Sequence, residues 1–140
     1  MNTKQLFSIT LFTALITLSS IVQAVQSGVN RQTRNVPAFH GISVSTGVDL
    51  YLTQNNGQQV RVEADEENMK NVITEVEGGI LKIYMKESSW FKLNWNNRSI
   101  KVYVTFKTLD QLKASAGSDV SSQSMLNLEQ FDLDLSLIHI

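Results

Sequence analysis

From Gly41 to Leu135 the chain alternates apolar and polar residues in run after run, and this period of two restricts its fold more than any other feature. Such spacing puts successive side chains on opposite faces of an extended strand, whereas an amphipathic helix requires a period near 3.6. The clearest run covers 99–107, with Ile100, Val102, Val104 and Phe106 on one side and Lys101, Tyr103, Thr105 and Lys107 on the other. Val48, Leu50 and Leu52 alternate with Asp49, Tyr51 and Thr53, and Val60, Val62 and Ala64 with Arg61 and Glu63. Leu81, Ile83 and Met85 alternate with Lys82, Tyr84 and Lys86. The chain therefore reads as mostly β, with strands that bury one face.

Turn chemistry divides these runs. Asn55-Asn56-Gly57 accepts positive φ at low steric cost and predicts a hairpin joining the 48–52 and 60–64 runs. Gly78-Gly79 predicts a second hairpin. Between them Asp65 suits an N-cap, and Glu66 and Glu67 suit the positive end of a helix dipole. With Met69, Val72, Ile73 and Val76 at helical spacing, a short helix is expected over about 66–72. Beyond 107 the runs shorten: Leu112, Ala114 and Ala116, a turn at Gly117-Ser118-Asp119, Val120, then Phe131, Leu133 and Leu135. Short strands at such intervals suit stacked coils. Two internal echoes agree with stacking. Ser45-Thr46-Gly47-Val48-Asp49-Leu50 matches Ser115-Ala116-Gly117-Ser118-Asp119-Val120 at Ser, Gly and Asp. Leu112, Ala114 and Ser115 match Leu133, Leu135 and Ser136, a separation near the repeat lengths of stacked coils.

The N-terminus gives an address. Met1 to Gln5 carries one lysine and no acid, and an uncharged apolar stretch follows from Leu6 to about Leu18, the order of a secretory signal peptide. That stretch is shorter than the roughly 20 apolar residues that span a bilayer. Val22 and Ala24 stand at −3 and −1 of a cleavage site, so the mature chain is expected to begin at Val25, after Ala24. Residues 25–35 are polar and read as an N-terminal arm or edge strand, and residues 36–140 as one β-rich domain. Cleavage removes one lysine and leaves a net charge of −2, which offers no general basic field for nucleic acid. The absence of cysteine removes disulfides, thiol nucleophiles, zinc–thiolate sites and lipid attachment at cysteine.

Several runs together resemble a known family. Phe39 to Gln54, Val60 to Glu66, Gly79 to Ile83, Lys101 to Thr105 and Leu112 to Val120 are similar, in that order, to the bacterial domain called the putative auto-transporter adhesin, head GIN domain. The resemblance covers about residues 36–136. It implies further Gly-Ser-Asp coils in a right-handed β-solenoid, so the antiparallel hairpins and the short helix are expected to lead into such a stack. The chain stops in Leu137-Ile138-His139-Ile140 without a turn or closing strand, so the stack is expected to be truncated, with a foreign tail and an exposed C-terminal edge open to self-association. The family brings no catalytic residues.

The chemical inventory is thin. His40 and His139 are the only histidines, and a Ser43-His40-Asp49 triad exists only on paper. Asp65, Glu66 and Glu67 are explained by capping, and Asp132 and Asp134 by an outward strand face. Asp49 and Asp119 read as turn residues ahead of calcium ligands. The segment 87–98 is more suggestive: Trp90, Phe91 and Trp95 with flanking amides can stack on a sugar or hold a partner, unless they extend a buried face. Tyr51, Tyr84 and Tyr103 share outward parity with Lys82, Lys86 and Lys101, which suggests a surface patch. The expected contact residues are therefore Trp90, Phe91, Trp95, Tyr84 and Tyr103. The expectation is a non-enzymatic exported domain, periplasmic, surface-bound or secreted, acting in adhesion, binding or structural contacts. It needs no cofactor or metal, binds no nucleic acid, has no transmembrane segment after cleavage, and takes a cell-surface glycan or protein as partner. The alternative is a periplasmic glycan-acting enzyme or a carbohydrate-binding module.

Overall fold

In every long run the apolar parity is the buried one. The computed structural model describes residues 28–87 and 100–136. Within these, the strands are β1 Val29–Arg34, β2 Gly41–Val44, β3 Val48–Gln54, β4 Gln59–Asp65, β5 Val72–Glu77, β6 Ile80–Met85, β7 Ile100–Phe106, β8 Gln111–Ser115, β9 Asp119–Ser122 and β10 Asp132–Ser136, with helix α1 at Glu66–Asn71. They form two mixed five-stranded sheets, sheet A in the order β1-β4-β7-β3-β9 and sheet B in the order β10-β8-β2-β6-β5. Ile42, Val44, Leu81 and Ile83 from sheet B meet Val48, Leu50, Val62, Val102 and Phe106 from sheet A in one apolar core.

The connections explain how two sheets share that core. β2 leaves sheet B, turns at Thr46-Gly47 and enters sheet A as β3; β8 does the same at Ala116-Gly117 and enters as β9. All four corner residues have positive φ, between 54° and 73°, and Gly47 N–H donates to the Ala116 carbonyl at 3.1 Å. The two units lie side by side in parallel: Ile42 faces Leu112 and Asp49 faces Asp119. The register is the same on both sides of the corner, so the first echo in the sequence is a stacked repeat. The second echo is also structural, because β10 pairs parallel to β8 with Leu133 facing Leu112 and Leu135 facing Ala114. β6 and β7 flank β2 and β3 in parallel on the opposite side.

A pair of glycines keys β2 to β6. A Cβ on Gly41 would lie 2.4 Å from Ile80 Cδ1, and one on Gly79 would lie 2.4 Å from His40 Nε2. Each glycine thus makes room for the bulky neighbour of the other, along two strands that run in parallel. The Gly78-Gly79 hairpin between β5 and β6 forms as expected, with both glycines at positive φ and Glu77 facing Ile80. Asp65 caps α1, accepting from Asn68 N–H at 2.9 Å. The helix ends at Asn71, and Val72, 2% exposed, already belongs to β5.

Two expectations need correction. β3 and β4 do not form a hairpin, because β7 lies between them, parallel to β3 and antiparallel to β4. The 55–58 link crosses the end of β7, where Asn55 N–H donates to the Phe106 carbonyl at 2.8 Å. Alternation selects the buried face but does not select the neighbour. Ala116 is a corner residue at φ 54°, not an inward strand position. Of the two forms expected for the N-terminal segment, residues 29–34 take the edge strand, β1, paired with β4 from Val29 to Arg34. The cleavage residues Ala24 and Val25, the aromatic segment with Trp90, Phe91 and Trp95, and the tail from Leu137 lie outside the described residues. Among the described residues no helix is long and apolar enough to cross a membrane.

Candidate functional site

Strands in a sheet lie about 4.8 Å apart, close to the stacking distance of aromatic rings, so identical residues in register on adjacent strands can stack into a column. The outer face of sheet A uses this coincidence. Parallel pairing of β3 with β7 sets Tyr51 beside Tyr103, with ring centroids 4.9 Å apart and planes 17° from parallel. Antiparallel pairing of β7 with β4 sets Arg61 beside Tyr103, and its guanidinium carbon lies 4.6 Å from the ring centroid. The cross-strand row is Thr33, Arg61, Tyr103, Tyr51, Ser121. Arg61 closes one end of the column. At the other end stands the short, exposed side chain of Ser121, which cannot cover the outer ring face of Tyr51.

The neighbouring row, two residues along each strand, is Arg31, Glu63, Lys101, Asp49, Asp119. Charges alternate until the last two, where carboxylates adjoin. Arg31 Nε donates to Glu63 Oε2 at 2.9 Å, while Asp119 has no cationic partner among the described residues. The Asp49 carboxyl is raised from its ordinary value by partial burial and then by the charge of Asp119, against the opposing pull of Lys101. The column's open end and the surplus negative charge therefore coincide on β3 and β9.

The outer face of sheet B is closed by its own pairs. Tyr84 Oη donates to Glu75 Oε1 at 2.7 Å, which pushes the phenol upward, and Lys82 pairs with Glu77. Lys113 and Asp134 pair at 3.1 Å. Tyr84 is thus on a different sheet from Tyr51 and Tyr103, and the three tyrosines do not make one patch. Of the expected contact residues, Tyr103 is in the column and Tyr84 is apart.

His40 provides the other polar cluster. Its Nδ1 donates to the Asp110 carboxylate at 2.9 and 3.1 Å, at the edge of a shallow cavity of about 480 Å³ lined also by Thr108, Asn127 and Glu129. A carboxylate in contact with Nδ1 orients a histidine for base catalysis, yet here the opposite ring edge packs against Gly79. The partner is Asp110, not Asp49, which lies on sheet A, so the paper triad is not assembled. The pairing continues the stacking order: Asp110 N–H donates to the His40 carbonyl and Asp132 N–H to the Asp110 carbonyl, at 2.9 and 2.8 Å.

Arg61 and the Asp49–Asp119 juxtaposition escaped the sequence reading, although a signal for the column was present. Asp49-Leu50-Tyr51-Leu52-Thr53 and Lys101-Val102-Tyr103-Val104-Thr105 share the same alternation around a central tyrosine. The structure aligns them residue for residue.

Comparison with known proteins agrees with this architecture. A putative adhesin from Bacteroides fragilis superimposes with a TM-score of 0.66 at 17% identity, over 78% of this chain and 55% of that one. A putative lipid binding protein from Parabacteroides distasonis gives 0.61 at 21% identity, over 79% and 47%. A putative cell adhesion protein from Clostridium sporogenes gives 0.56 at 17% identity, over 78% and 57%. The chain thus spans about half the length of these structures, and at such identities they show a shared fold. No functionally curated protein matches the chain. A family model matches residues 38–137, and the chain belongs to that family, described as putative auto-transporter adhesin, head GIN domain.

Proposed function

We propose that this chain is an exported, non-enzymatic envelope or cell-surface domain whose stacked strands present flat side-chain rows to a binding partner. The observation that carries the reading is the tyrosine column, in which two rings and a guanidinium occupy three adjacent strands of an outer face. Family membership supports a surface role. In this reading residues 1–24 are a signal peptide cut between Ala24 and Val25, residues 25–35 form the N-terminal arm, and the domain follows. The strands form a right-handed solenoid-like stack, in which β8 and β9 lead into β10 and β10 returns beside β8. Trp90, Phe91 and Trp95 add an aromatic contact for a surface glycan or protein, and the open edge at β10 permits self-association.

Binding is favoured over glycan cleavage by geometry. Glycoside hydrolysis requires two carboxylates flanking the scissile bond across a groove. Asp49 and Asp119 instead stand side by side on an open sheet face. A screen of the purified protein, starting at Val25, against intact cells, glycans and envelope proteins tests the reading. Saturable binding to one class supports it. Glycan turnover that vanishes in Asp49→Asn would replace it with the enzymatic one.

A further inference from the structure

We propose that the open end of the tyrosine column, above Ser121 and beside Asp49 and Asp119, seats an arginine side chain presented by a protein partner. The inference rests on the binding reading above and names the chemistry of its ligand.

The orientation of the rings decides what can bind. Tyr51 and Tyr103 stack along the direction that crosses the strands, so the column shows ring edges to solvent and keeps its faces between neighbours. A glycan chain laid on the sheet would meet edges and gain little stacking. One further flat group can continue the column, and only at the Ser121 end, because Arg61 occupies the other. The molecule itself shows which flat group suits a tyrosine face here: a guanidinium, 4.6 Å from the Tyr103 centroid. Arginine combines planarity with a charge that a ring face attracts.

Charge complementarity favours the same occupant. The adjacent row alternates in sign from Arg31 to Asp49 and then repeats a negative charge at Asp119. A cation above Ser121 stands beside this surplus and balances it, as Arg31 does for Glu63 at the opposite margin. β9 is an edge strand of sheet A, so a partner's extended segment can approach it from the open side. Each contribution is modest at an exposed surface, and a single arginine should bind weakly, in the millimolar range.

The test is a nuclear magnetic resonance titration of the mature protein with acetyl-Gly-Arg-Gly-amide. Saturable shifts at Tyr51, Asp119 and Ser121 are expected, with affinity about ten-fold weaker for the citrulline peptide, which has the shape without the charge. Tyr51→Ala should abolish the shifts. Asp119→Asn, an exposed change that leaves the column intact, should weaken them several-fold. Equal binding of the citrulline peptide, shifts produced by a hexose oligosaccharide but not by arginine, or no shifts at all would each overturn the proposal. So would movement of the Tyr51 and Ser121 resonances by Arg98→Ala in the free protein, which would assign the seat to the chain's own arginine. If cells bind the protein and its Tyr51→Ala variant equally, the seat fails and the binding role survives. If arginine binds while the surface screen is blank, the binding role fails and the seat survives.

Discussion

Gly41 and Gly79 lie under Ile80 and His40, and this exchange of bulk for space registers β2 against β6. Gly79 also has φ 77°, so a side chain there meets both backbone strain and the His40 ring. Gly79→Ala should therefore lower stability by about 2 kcal/mol or more in urea unfolding. Gly57→Ala, with open space around it, should change stability by only a few tenths of a kcal/mol. Asp49 makes a second residue-scale prediction. Its carboxyl is raised above 3.8 by burial and by Asp119, so the folded state binds its proton more tightly than the unfolded chain does. Its contribution to stability therefore falls as pH rises through the window above 3.8 and stays unfavourable at neutral pH. Asp49→Asn should raise the melting temperature at pH 7, and the gain should shrink at pH 3, where aspartate is protonated in both states. An unchanged melting temperature at pH 7 would mean that Lys101 offsets the burial.

At the scale of elements, β7 pairs on both sides and buries Ile100, Val102, Val104 and Phe106 to 1% exposure or less. Val102→Asp should cost about 4 kcal/mol or more, because it leaves an unpaired charge in the core. Lys101→Asp, on the outer face, should cost far less; equal losses in denaturant would contradict the assignment of faces. This parity was legible in the sequence, as were the capped helix and the Gly78-Gly79 hairpin, because each depends on residues close together in the chain. The pairing of β3 with β7 was not legible, since it joins segments far apart in the chain and reads the same in alternation as a local hairpin. For that reason the site was half visible. Outward tyrosines could be counted from parity, but only the register shows that Tyr51 and Tyr103 stack while Tyr84 stands on the other sheet beside Glu75.

Across the whole molecule, the two repeats, from Ile42 to Leu112 and from Leu112 to Leu133, place β2, β8 and β10 in successive parallel positions, although β2 comes first in the chain and lies inside the sheet. Leu133 and Leu135 have the parity of Leu112 and Ala114, yet they are 50% and 58% exposed while those are 4% and 5%. A strand added beside β10 would cover them, so Leu133→Lys with Leu135→Lys should leave folding nearly unchanged and reduce any concentration-dependent association seen by analytical ultracentrifugation. A loss of folding with the double change would show that these leucines already belong to the core. The flat outer faces that this stacking produces are what a binding domain would use. The most direct measurement is saturation binding of labelled protein comprising residues 25–140 to intact cells, competed by excess unlabelled protein and repeated after heat unfolding. Saturable, competable binding that disappears on unfolding is the predicted result, and the same weak, non-saturable signal from folded and unfolded protein would contradict the account.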